Sequence, residues 1–131
     1  MSPSSAFGSW NGQEPTELHP GVRLNSIGGE QVLLCRVTYE PGKEVKRHAH
    51  DATEQVMYIL DGSVRVTIEG ETRTMVAGDV CVINRGLEHE LFSDDGVTFM
   101  EALAPVPLDH VPDRERDLVL GPEGGAGHVE R

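Results

Sequence analysis

His48 and His50 stand one residue apart, with Glu54 and Gln55 shortly after them and His89 further along the chain. In an extended strand, residues i and i+2 project from one face, so the imidazoles of His48 and His50 can converge on one point. Neutral imidazole is the commonest protein ligand for metal ions. Glu54 and Gln55 each carry a side-chain oxygen that could join them. A metal centre needs three or four such donors converging from a rigid frame. The chemistry implied is that of a bound divalent ion acting on an oxygen-bearing molecule.

The elements that would position these side chains read as short strands. Residues 30–39 are mostly β-favouring and end at Pro41-Gly42. Residues 45–50 form the strand carrying the histidine pair, and residues 55–60 form the next. Asp61-Gly62 is a hairpin-turn signal, after which residues 63–68 form a further strand. Turns at residues 69–71, 78–79, 84–86 and 94–96 separate strands over 72–76, 80–83, 89–93 and 97–103. No stretch shows a 3.6-residue apolar period. Short strands with turns at this spacing predict an all-β sandwich or barrel. His19, beside Pro20-Gly21, reads as a solvated turn residue.

Two stretches together resemble the cupin family. The first runs from Gly42 through His48, His50 and the Glu54-Gln55 pair to Gly62. The second runs from Gly78 through Asn84, Gly86 and His89 to Ser93, with Asn84 where the family has Pro and Ser93 where it has Asn. The resemblance covers residues 42–93 directly and implies a small antiparallel jelly-roll β-barrel over 16–105. It implies one divalent metal ion (Zn, Ni, Fe, Mn or Co) held by His48, His50, Gln55 and His89. Gln55 takes the fourth position because six residues separate it from Gly62, although a shifted turn after His50 would bring Glu54 there instead. With a carboxylate in that position the site would carry a net +1. With Gln55 the ion keeps its full +2 and suits an anionic or enolisable substrate.

Met57 and Ile59 share the face of Gln55, Leu91 is in phase with His89, and Cys81 is placed to approach the site, whereas Arg36 and Tyr58 face outward or pack. The order Glu101, Leu103, Pro105 is similar to the end of cupins that open unsaturated uronic acid rings, where Asp and Phe precede the Pro and an Arg follows. Pro107 stands where that Arg would be, so the carboxylate clamp is missing. Glu101 is left as the candidate general acid or base.

The 131 residues suit one domain: an arm over 1–15, the barrel over 16–105, and an extension over 106–131. Trp10 in the arm reads as a peripheral anchor, folded back on the barrel or capping a neighbouring subunit. In the extension, Leu118 to Leu120 read as an edge or swapped strand, and His110 and His128 as surface residues. Cys35 and Cys81 lie in apolar strand patterns and read as small buried hydrophobes. A net charge of −11 argues against a nucleic-acid partner. No apolar run approaches the length of a membrane span, and the first residues lack the pattern of a secretory signal, so the expectation is a cytoplasmic protein. Exposed strand edges call for a cover, and a homodimer is expected to supply it.

Three activities fit this reading. The leading one is an isomerase, cyclase or lyase acting on a small-molecule substrate through the metal, with Glu101 moving a proton. The second is a metal-dependent dioxygenase, and the third a non-catalytic small-molecule-binding cupin.

Overall fold

The computed structural model describes residues 7–106. Nine strands follow in order: β1 (Thr16–His19), β2 (Val22–Gly28), β3 (Leu33–Tyr39), β4 (Lys43–His48), β5 (Glu54–Ile68), β6 (Glu71–Val76), β7 (Val80–Ile83), β8 (His89–Ser93) and β9 (Val97–Ala104). Among the described residues there is no helix. All the pairings are antiparallel, in the order β1-β2-β3-β9-β5-β8-β4, with β6 and β7 also paired to β5. The predicted all-β jelly-roll barrel is the fold observed.

The strands form because their side chains alternate. β3 buries Leu33, Cys35, Val37 and Tyr39 and turns Leu34 and Arg36 outward. β9 buries Val97, Phe99, Glu101 and Leu103 in the same phase. Period-two alternation of this kind fixes register, since a slip of one residue would expose the whole apolar set. The buried faces meet in one core that includes Leu24, Met57, Ile59, Val64, Leu91 and Phe99.

β5 is the strand on which the barrel turns. Its first half pairs with β9 and β7, and its second half with β6 and β8. The predicted hairpin at Asp61-Gly62 is therefore corrected: residues 55–60 and 63–68 belong to one strand, with a register shift between Ile59 and Asp61. A bulge bends a strand and increases its twist, which carries β5 from one sheet to the other. Gly62 has φ 81°, a conformation natural to glycine. A Cβ there would collide with the Gly96 carbonyl oxygen. The glycine that signalled a hairpin instead allows a close crossing inside a continuous strand.

Three other expectations change. The strand predicted over 30–39 begins at Leu33, and two strands, β1 and β2, precede it where only a turn at Pro20-Gly21 was foreseen. The histidine strand ends at His48, so His50 lies in the turn beyond it. Cys35 is buried as expected, but Cys81 is only half-buried. Leu118 to Leu120, His110 and His128 lie outside the described residues.

Candidate metal centre

The three histidines come together at one end of the barrel. His48 closes β4 and is the register partner of His89, which opens β8. The β4–β8 register shifts between Val45 and His48, so the last turn of the ladder is irregular at the point where the histidines meet. His50 is held by its backbone: its carbonyl accepts a hydrogen bond from Gly86 N at 2.9 Å. That bond ties the turn after β4 to the Asn84-to-Leu87 turn that leads into His89. Ring centroids are 4.2 Å apart for His48 and His89, 5.0 Å for His48 and His50, and 5.4 Å for His50 and His89. One ring nitrogen from each residue lies within 4.8 Å of the others.

The backbone also sets two of the tautomers. Nδ1 of His48 lies 2.7 Å from the Lys46 carbonyl oxygen, and Nδ1 of His89 lies 3.0 Å from that of Leu87. A carbonyl only accepts, so Nδ1 carries the hydrogen in each and the ring lone pair resides on Nε2. Orientation of this kind, through the non-ligating nitrogen, is characteristic of metal-binding histidines. His50 and His89 are each 2% exposed, and His48 is half-buried.

Gln55 and Glu101 form a second buried polar unit. Gln55 is the register partner of Leu103, and Glu101 that of Met57, so the two are diagonal neighbours on the inner face of adjacent strands. Gln55 Nε2 donates to Glu101 Oε1 at 2.6 Å. With the amide nitrogen donating to the carboxyl oxygen, Gln55 Oε1 faces away from Glu101. Gln55 Oε1 is then buried with no hydrogen bond among the described residues. A buried carbonyl oxygen without a partner costs about 1–3 kcal/mol, and an ion ligated there would remove that cost. Three convergent imidazoles, in a buried polar set of the described residues that contains neither Lys nor Arg, fit a divalent ion.

The remaining site expectations fall out by face. Glu54 is exposed and Gln55 buried, which puts Glu54 on the outer surface. Met57, Ile59 and Leu91 point inward with Gln55 and His89. Arg36 and Tyr58 face outward. Glu101 is buried rather than solvated, at 4% exposure. Trp10 folds back on the barrel, donating from Nε1 to the Ser26 carbonyl at 3.2 Å. Burial pushes the Cys81 thiol above its ordinary pKa.

Sequence reasoning missed Thr53, which is buried and donates from Oγ1 to the Pro105 carbonyl at 2.8 Å. It pins the start of β5, just before Gln55, to the end of β9. It also missed that Glu101 contacts Gln55. The only available signal was that both fall on inward-facing positions of their strands.

Comparison with known proteins follows the same lines. The Cupin_2 family model, cupin domain, matches residues 35–102. A pectin degradation protein, KdgF, of Dickeya dadantii is 27% identical over 95 residues, covering 71% of this chain and 86% of that protein. An oxalate-binding protein of Thermotoga maritima is 33% identical over 108 residues, covering 82% of this chain and 88% of that one. Among solved structures, an RmlC-like cupin from Shewanella frigidimarina superposes with a TM-score of 0.76 at 21% identity, over 83% of this chain and 98% of the other.

Proposed function

This chain belongs to the cupin family, and from that premise we propose that it is a metal-dependent enzyme of the isomerase, cyclase or lyase kind. Its substrate is a small organic molecule, anionic or enolisable, whose oxygen meets the metal. The observation that carries this reading is the convergence of one ring nitrogen each from His48, His50 and His89 within 4.8 Å. In the proposal these three and Gln55 Oε1 hold one divalent ion, drawn from Zn, Ni, Fe, Mn and Co. When bound, such an ion supplies Lewis-acid polarisation of a substrate oxygen.

The chain's own residues do the rest. The Lys46 and Leu87 carbonyls hold two rings with Nε2 as the donor atom. Glu101 holds the Gln55 amide with its oxygen turned away from the carboxylate. Glu101 is also the acid–base group of the proposal, since it is the buried carboxylate of the described interior. A neutral amide ligand leaves the ion's charge undiminished, which favours substrates that develop negative charge on oxygen. Support for small oxygen-bearing ligands comes from the relatives named for pectin degradation and for oxalate binding.

A homodimer completes the proposal. Val56 and Tyr58 of β5 stand beside Val82 and Val80 of β7 on the outer face, all between 47% and 67% exposed. An apolar sheet face of this sort is best covered by a second copy. No helix among the described residues is long and apolar enough to cross a membrane.

The test is elemental analysis of protein purified without chelator, combined with oxygen-uptake measurements on candidate substrates. The proposal expects a bound divalent ion and turnover without oxygen consumption. Stoichiometric oxygen uptake would make the protein a dioxygenase, and metal-free protein that binds ligand without turnover would make it a binding cupin.

A further inference from the structure

The turn between β5 and β6 contains a residue ill-suited to it. Ile68 pairs with Glu71, so Glu69 and Gly70 are the two loop residues. Their φ values are 48° and 84°. Positive φ at both loop positions matches the twist of a hairpin, and Asn-Gly, Asp-Gly or Gly-Gly is strongly preferred there. Gly70 conforms to that preference and Glu69 does not. Among the described residues, Glu69 is the one residue other than glycine with positive φ. A side chain in this region carries a backbone cost, which persists where the surroundings hold the residue in place.

The group that holds it lies just before His89. Glu69 N donates to the Glu88 carbonyl oxygen at 3.0 Å, and Glu69 Oε2 accepts the Glu88 N–H at 2.8 Å. Both residues are exposed, so these bonds compete with water, but the second is strengthened by the carboxylate charge. Asn or Asp would suit the turn better, with a side chain one carbon shorter. The Glu88 N–H belongs to the same peptide group as the Leu87 carbonyl, and that group is planar. The Leu87 carbonyl oxygen in turn accepts the His89 Nδ1–H at 3.0 Å. One rigid plane therefore has the Glu69 carboxylate on its N–H and the His89 ring on its C=O. A rotation of the plane would disturb both bonds.

We propose that Glu69 is a positioning residue for the metal centre. Its carboxylate fixes the Leu87–Glu88 peptide, and that peptide holds the His89 ring with its lone pair on Nε2. The inference rests on the metal-centre reading and adds to it a residue from outside the donor set.

The experiment makes three measurements on the full chain: the His89 ring tautomer in metal-free protein by heteronuclear NMR, zinc affinity by competition with a chromophoric chelator, and the midpoint of thermal unfolding. Glu69→Gly removes the carboxylate but suits the positive φ, so the midpoint should not fall. Its His89 should lose part of the Nδ1–H tautomer, and zinc affinity should drop about fivefold, less than for a partner that touches the ligand directly. Glu69→Gln keeps an acceptor of the same reach, and its affinity should stay within about twofold of the parent. Parental tautomer and affinity in Glu69→Gly overturn the proposal and leave the metal centre standing. An affinity loss in Glu69→Gly that comes with a lower midpoint and an unchanged tautomer, or an equal loss in Glu69→Gln, also overturns it. A parent that takes up no zinc, with the tautomer shift of Glu69→Gly intact, overturns the metal centre and leaves the link from Glu69 to His89.

Discussion

The histidine cluster and the Gln55–Glu101 pair both place polar atoms inside an apolar barrel, but on different supports. The histidines stand at the ends of elements. His48 is the last residue of β4, His50 lies in the turn beyond it, and His89 is the first residue of β8. Their geometry depends on backbone bonds at those ends: Lys46 and Leu87 carbonyls to two rings, and Gly86 N to the His50 carbonyl. Gln55 and Glu101 sit within regular ladder, on adjacent strands whose register is continuous around them. The donors that must adjust to an ion are thus on irregular segments, and the group that must not rotate is on the sheet.

This difference orders the expected effects of mutation. Loss of a histidine should be the most damaging to metal binding. Replacing even the partners that orient a ligand typically costs 10–100-fold in affinity, so His50→Ala or His89→Ala should weaken zinc binding by more than about 100-fold, measured by competition with a chromophoric chelator. The fold should survive, since the substitutions leave the core that includes Leu24, Ile59 and Phe99 intact.

Gln55→Glu should act on stability instead. The amide now donates to Glu101 at 2.6 Å, and a carboxylate in its place would set two acids against each other. Such a pair keeps a proton or separates. The expected cost is about 1–3 kcal/mol in chemical denaturation near neutral pH. The exchange Gln55→Glu with Glu101→Gln restores one donor and one acceptor and should recover most of that loss. Failure of the double variant to recover would show that the two residues are not coupled through this bond.

Glu101→Gln alone should be milder. The amide at 101 can still accept from Gln55, but it can also donate, so the Gln55 amide is no longer held one way round. Zinc affinity should fall by about tenfold with little change in unfolding midpoint. Smallest of all is Glu54→Gln. Glu54 is exposed on the outer face, so both metal binding and stability should stay within about 0.5 kcal/mol of the parent. A large loss of metal in this variant would return Glu54 to the ligand set.

The same contrast explains what the sequence disclosed. Alternation in residues 33–39, 89–93 and 97–103 identified strands and their inward faces, because burial on one side imposes a period of two. It also placed Glu54 and Gln55 on opposite faces. The His-x-His spacing pointed to convergence, yet the structural reason is not two positions on one strand face: His50 has left the strand. Asp61-Gly62 misled because a glycine at positive φ serves both hairpins and bulges, and only the pairing of β5 with four partners distinguishes them. β1 and β2 were missed because residues 16–28 mix polar side chains among Leu18, Val22, Leu24 and Ile27, and their strand character comes from pairing with β3. The Gln55–Glu101 bond joins residues 46 apart in the chain, a juxtaposition that local pattern does not encode.

The central claim is that His48, His50 and His89 hold one divalent ion together with Gln55. It is tested most directly by loading the full chain with zinc, removing the unbound ion, and measuring metal per chain by elemental analysis in the parent and in His50→Ala and His89→Ala. The account predicts about one zinc per parent chain and close to none in either variant, as expected for a site built from a small set of convergent donors. Zinc retained at parental stoichiometry in both variants, or absent from the parent, would contradict it.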